Sequence, residues 1–232
     1  MEALLRKGLA QLGLDDSGAP SLLRYGELLL EKNKVMNLTA ITEPQDVATL
    51  HFLDSAALLT LADLKGKSVV DVGTGAGLPG MPLKILEPSI RMTLLDSLGK
   101  RITFLQEVCD DLGLTDVQCI HARAEEFAAD HRQSFDFAVS RAVANLSVLC
   151  ELCLPLAERR TLPRITARSA PGLSSFAVCC SLPLSSWPFV PAGSIRPRPS
   201  LRRIIPWWTK IPTENPPRIT SPLLSRARAV DP

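Results

Sequence analysis

Asp71 is followed by three alternating glycines, Gly73, Gly75 and Gly77, with Gly80 three residues further on. The apolar, β-branched run Val69-Val70 precedes them and reads as a strand buried on both faces. Glycines at this spacing let the chain turn tightly and let a ligand approach the backbone without meeting a Cβ. The N–H groups of the turn and of the helix start then point at that ligand. The stretch therefore reads as a cofactor site at the carboxyl end of a first parallel strand.

Two cofactors compete for this loop. Gly75-Ala76-Gly77-Leu78-Pro79-Gly80 fits G-x-G-x-x-G, the dinucleotide pattern of nicotinamide-dependent oxidoreductases. Asp71 adds an acid at the strand end, which makes the whole acid-x-Gly-x-Gly-x-Gly. S-adenosylmethionine carries an ammonium and a sulfonium, so a nearby carboxylate favours it. A pyrophosphate near the same turn would be repelled. Asp71 thus tips the choice toward the methyl donor. Asp96 closes a second apolar strand, where an acid suits the ribose hydroxyls of either cofactor.

The elements that must position these residues alternate. Helices are expected at Glu2 to Leu12, Ser21 to Asn33 and Pro44 to Leu64, with Asn37-Leu38-Thr39 as a turn between the last two. Strands are expected at Ser68–Val72, Arg91–Asp96, Val117–His121 and Phe135–Ser140. The helices between and after them are expected at about Leu78 to Leu86, Gly99 to Leu112, Ala124 to Ala129 and Asn145 to Leu156. Such alternation calls for right-handed crossovers and a parallel sheet.

Composition divides the 232 residues in two. Residues 1–158 hold 14 Lys and Arg against 22 Asp and Glu, while residues 159–232 hold 12 against 2. Thirteen of the 19 prolines and all three tryptophans (Trp187, Trp207, Trp208) fall in the second part. Strand-helix alternation stops near Glu158, and the acid-poor, proline-rich remainder reads as a disordered tail. A basic stretch with Trp207-Trp208 is also the composition of an RNA-binding tail. The N-terminus lacks the pattern of a secretion signal. No apolar run reaches the length of about 18 residues that crosses a membrane. A cytoplasmic protein with free thiols is therefore expected. Cys150 and Cys153 form a C-x-x-C without a second pair, inside an apolar run, which reads as core helix rather than a metal or redox site.

Several strings together resemble the bacterial 16S ribosomal RNA guanine-N7 methyltransferase family of the glucose-inhibited division B type. They are Asn33 to Ile41, His51 to Ser55, Asp71 to Gly80, Leu94 to Arg101, Arg123 to Glu126 and Ser140 to Ala142, in matching order and spacing over about residues 5–157. The run Leu95-Asp96-Ser97-Leu98-Gly99-Lys100-Arg101 is characteristic of that family rather than of methyltransferases at large. The resemblance implies an α/β, Rossmann-like S-adenosylmethionine-dependent methyltransferase. It would have an N-terminal helical extension (1–64), a core (65–157) and the tail (158–232), with the C-terminal strands missing. It implies methyl transfer to guanine N7 in 16S ribosomal RNA of the small subunit, by a monomer without metal or membrane. Gly73, Gly75 and Leu78 would line the methionine and ribose side of the cofactor. Asp96 would hold the ribose hydroxyls, Ala124 and Glu125 would border the adenine, and Arg141 would reach the cofactor or the RNA. His51 and Asp54, three apart on one helix face, are candidates for shaping the site. N7 of neutral guanine already carries a free lone pair, so no general base is expected and none is named. The other reading is a catalytically impaired remnant, or an RNA-binding protein that keeps the cofactor loop.

Family members continue beyond the helix near Leu156 with a Gly-Gly turn, a strand ending in Lys-Gly, a helix and an antiparallel pair. None of these strings is present here. The abrupt change is what translation in a shifted reading frame from about Ala157 would produce, and it would leave the edge of the fourth strand bare. Sequencing the gene across those codons is expected to find a family-like continuation in another frame. An intact frame with no such alternative would contradict this origin for the tail.

Overall fold

A computed structural model describes residues 1–141, 146–158, 163–168 and 176–181 of the chain. The first four strands are β1 (Ser68–Val72), β2 (Arg91–Asp96), β3 (Val117–His121) and β4 (Phe137–Arg141). They pair in parallel in the order β3-β2-β1-β4, with Asp71 beside Leu94 on one side and Val139 on the other. This is the expected four-stranded parallel sheet. Val69, Val70, Val72, Leu94 and Leu95 are all buried, as central strands covered on both faces require.

Among the described residues, eight α-helical segments accompany the strands. They are α1 (Glu2–Leu12), α2 (Ala19–Met36), α3 (Pro44–Asp46), α4 (Asp54–Ala56), α5 (Gly80–Leu86), α6 (Gly99–Leu112), α7 (Ala124–Asp130) and α8 (Leu146–Cys153). The expected helix from Pro44 to Leu64 is one helical stretch of changing pitch. α3 runs into a π-helical segment, Val47–Leu53, then α4, then a 3-10 turn, Ala57–Thr60. Within it Val47, Ala48, His51, Phe52 and Leu53 are buried, and burial continues unbroken through α4 to Leu58. The strand expected from Phe135 begins at Phe137. Phe135 instead forms an isolated parallel bridge with Ala157.

Beyond β4 the sheet differs from the bare edge expected of the sequence. β6 (Phe176–Ser181) pairs antiparallel with β4, and β5 (Pro163–Arg168) pairs antiparallel with β6. Val178, Cys179 and Cys180 supply the β-compatible residues that composition alone hid among the prolines. Both strands lie within the tail, 158–232, that the sequence led one to expect as disordered; the rest of it after Glu158 lies outside the described residues. The unit Met1–Pro188 contains all the elements above.

The N-terminal extension is built into the core rather than appended to it. Leu5 and Leu9 of α1 and Leu22, Tyr25 and Leu29 of α2 have no exposure to water. Tyr25 stacks on Phe52 with ring centroids 5.2 Å apart, and its hydroxyl donates to the Ala76 carbonyl at 2.5 Å. Thus α2 holds the glycine turn from beneath. The fit is tight: a Cβ at Gly77, whose φ is +99°, would lie 2.8 Å from the Tyr25 oxygen and 2.6 Å from Met81. On the far side, the buried Lys84 ammonium donates to the Pro88 and Ile90 carbonyls, at 2.6 Å each, and pins the turn from α5 into β2.

Candidate functional site

Between β1 and α5 the chain turns at Gly73, Gly75 and Gly77, with φ of +68°, +61° and +99°. Three left-handed residues in five are affordable only to glycine, which explains the alternation. Two carboxylates hold the turn in this shape. Asp71 Oδ2 accepts the Thr74 hydroxyl at 2.7 Å and the Gly80 N–H at 2.8 Å. Asp96 Oδ2 accepts the Gly75 N–H at 2.9 Å and an Arg101 N–H at 3.3 Å, while its Oδ1 accepts the Leu98 N–H at 2.9 Å.

The turn forms one wall of a cavity of about 400 Å³. Of the residues expected at the site, Gly73, Gly75, Leu78, Asp96 and Arg141 line it. Ala124 and Glu125 do not. They open α7 beyond the cavity wall, where Glu125 is exposed, and the nearby link is the Ala122 N–H to the Asp96 carbonyl at 3.2 Å. Asp71 also lies outside the cavity. It has no exposure and sits beneath the turn, so its carboxylate shapes the loop instead of facing a ligand. The volume suits a nucleoside-sized ligand, and Asp96, only 3% exposed, offers it an acid beside backbone free of Cβ atoms.

The opposite wall was not drawn from the glycine motif. It is made by Leu38 and Thr39 from the turn after α2, by His51 from the π-helical segment and by Arg141 from the end of β4. Arg141 donates to the Leu50 carbonyl at 3.3 Å and to His51 Nδ1 at 3.2 Å, and lies 3.9 Å from the Asp54 carboxylate. Guanidinium has no acceptor, so Nδ1 of His51 must accept and the ring proton sits on Nε2. Nε2 then donates to Thr39 Oγ1 at 2.8 Å. Burial, aided by the Arg141 charge, pushes the His51 pKa down to about 4, so the ring is neutral near pH 7. The spacing of His51 and Asp54 in the sequence was the available signal for this wall. Thr39 stands in a turn and in the string Asn33 to Ile41 that carries the family resemblance, with no role assigned to it there.

Asp71 departs from the usual behaviour of a carboxylate. Burial raises its pKa from 3.8 to about 6, against the lowering effect of the Thr74 and Gly80 hydrogen bonds, and its Oδ1 has no hydrogen-bond partner. A raised native pKa contributes stability that is complete below pH 3.8 and is lost as pH rises through 6. Asp71→Asn is expected to abolish that loss. Measured by urea denaturation, the native protein should fall relative to the variant by roughly 3 kcal/mol between pH 4 and 7, two pKa units at about 1.4 kcal/mol each. His51 titrates in both proteins and cancels in the difference. Parallel pH profiles for the two would contradict the assignment.

Known proteins place the chain further. The family model described as rRNA small subunit methyltransferase G (GidB) matches residues 19–163. The Ribosomal RNA small subunit methyltransferase G of Alkaliphilus metalliredigens is 51% identical over 157 residues, which is 66% of this chain and 66% of that protein. Its counterpart from Clostridium botulinum strain Loch Maree is 48% identical over 151 residues, 64% of this chain and 63% of that one. The chain thus spans just under two thirds of the length of these curated relatives. Among solved structures, a SAM dependent methyltransferase from Aquifex aeolicus aligns with a TM-score of 0.42 and 14% identity, over 65% of this chain and 97% of that one. With more than half of its residues matched by the family model, the chain belongs to the rRNA small subunit methyltransferase G family.

Proposed function

We propose that the chain binds S-adenosyl-L-methionine on the glycine-turn side of the cavity, with Arg141 reaching the cofactor or the RNA from the opposite wall, and methylates N7 of a guanosine in 16S ribosomal RNA. The observation that carries this reading is the juxtaposition of two left-handed glycines, Gly73 and Gly75, with the buried Asp96 carboxylate in one cavity of about 400 Å³. Gly73, Gly75 and Leu78 would hold the methionine and ribose side, and Asp96 the ribose hydroxyls. Ala124 and Glu125 would meet an adenine extending past the cavity wall toward α7. Membership of the family and the names of its relatives support the substrate. That substrate would put the protein at work in the cytoplasm.

The bound cofactor supplies an electrophilic methyl group: the N7 lone pair forms the new N–C bond while the S–C bond breaks with its electron pair going to sulfur. No proton moves in this exchange, so the chain needs no base at the acceptor. This fits a cavity whose imidazole, His51, is already engaged at both nitrogens. What the residues contribute is alignment of donor and acceptor, which can be worth several kcal/mol, of order 7 in well-oriented systems. In A-form RNA the N7 edge lies in a deep, narrow groove that side chains do not enter. The acceptor is therefore expected in a loop or an incompletely folded particle.

Methyl transfer is the direct test. Small subunits isolated from cells lacking this modification, incubated with the chain and methyl-labelled cofactor, should yield 7-methylguanosine in nucleoside digests of the 16S RNA. Absence of label would contradict the reading and favour a remnant that keeps only the cofactor loop.

A further inference from the structure

Thr39 is held more firmly than a turn residue needs to be. Asn33, on the last turns of α2, clamps its backbone from both sides: the Asn33 side-chain amide donates to the Thr39 carbonyl at 2.9 Å, and its oxygen accepts the Thr39 N–H at 2.9 Å. The side chain is fixed too. Thr39 Oγ1 accepts from the Ile41 N–H at 3.1 Å and, given the tautomer that Arg141 imposes, from His51 Nε2–H at 2.8 Å. A hydroxyl has two acceptor sites and one donor. Both acceptor sites are filled, so the hydroxyl proton is left to donate, and Thr39 lines the cavity. The chain Arg141 to His51 to Thr39 is a relay of donors with a single direction, ending in an O–H held ready for an acceptor atom of a ligand.

On the edge of guanine that carries N7, the neighbouring atom is O6, an acceptor. In adenine the same place holds an amino donor. We propose that the Thr39 hydroxyl donates a hydrogen bond to O6 of the acceptor guanine, so that it orients N7 toward the methyl group and excludes adenine. This rests on the methyltransferase reading above. Adenine at that place would set donor against donor and leave a half-buried hydroxyl without a partner, which is how a polar site rejects the wrong ligand. O6 becomes a poorer acceptor as the ring gains positive charge. Thr39 is therefore a residue of selection and orientation, not of transition-state charge stabilisation. Asn33, His51 and Arg141 act through it as positioning residues.

The test compares Thr39→Val, which keeps the shape and removes the hydroxyl, with Thr39→Ser, which restores it. The readouts are kcat and KM on unmodified small subunits, together with calorimetric affinity for S-adenosylmethionine. Thr39→Val is expected to lower kcat/KM for the RNA about ten- to a hundredfold, with cofactor affinity unchanged, and Thr39→Ser to recover most of it. Three results would overturn the proposal. One is wild-type kcat/KM in the valine variant. Another is a loss of cofactor affinity that matches the loss of activity, since the hydroxyl would then serve the cofactor's carboxylate. The third is a serine variant as impaired as the valine one, which would mark a packing role. An unmutated chain that methylates nothing would instead sink the methyltransferase reading itself, and this proposal with it.

Discussion

Asp71 is a carboxylate with no access to water that accepts two hydrogen bonds at one oxygen and none at the other. Burying such a group is costly, and its raised pKa records that cost. What the chain gains is a turn of three left-handed glycines closed onto the start of α5, with Thr74 and the Gly80 N–H tied to one point. Remove that point and the turn loses its side-chain tie to the start of α5, and its glycines by themselves favour no single conformation. Asp96 repeats the device from the next strand, on Gly75 and Leu98, but from within the cavity wall. The two acids therefore have different duties. Asp71 shapes the loop, and Asp96 both shapes it and faces the ligand.

The same division explains why the N-terminal helices are part of the site. Tyr25 reaches from α2 to the Ala76 carbonyl beneath the turn, and Phe52 stacks behind it. Thr39 and His51 come from the extension as well, and Arg141 comes from the far end of the sheet. One wall of the cavity is thus the strand-turn-helix unit of the core. The other is made by the extension folded against it. The helical stretch 47–58 serves this arrangement, because it buries His51 along with Phe52 and Leu53.

Much of the first wall was legible in the sequence. Alternating glycines after an acid-bearing apolar strand admit few structures, and the four parallel strands follow from the alternation of short apolar runs with helical ones. Gly73, Gly75, Leu78 and Asp96 line the cavity because their positions are set by local chain geometry. Asp71 lies beneath it. Its charge suggested a partner for the cofactor's cations, yet its depth in the sheet, visible only in three dimensions, gives it to the loop. Ala124 and Glu125 stand outside the cavity because the turn from β3 into α7 carries them past its wall. The second wall was legible only in part: Arg141 and His51 stand out as candidates in the sequence, but their meeting depends on a contact across about 90 residues. The antiparallel pair β5 and β6 was hidden for another reason. Its β-compatible residues lie within a stretch whose overall composition argues against any strand.

If the proposed function holds, residues 1–158 form a working site for a methyl donor despite the unfamiliar tail. Calorimetric titration of the full chain with S-adenosylmethionine, and separately with NAD, tests it most directly. Saturable binding of S-adenosylmethionine at one site per chain, with no heat of binding from NAD, is the expected result. Binding of NAD alone would contradict the reading of the loop. Binding of neither would mean that the cavity, as folded in this chain, does not hold a cofactor.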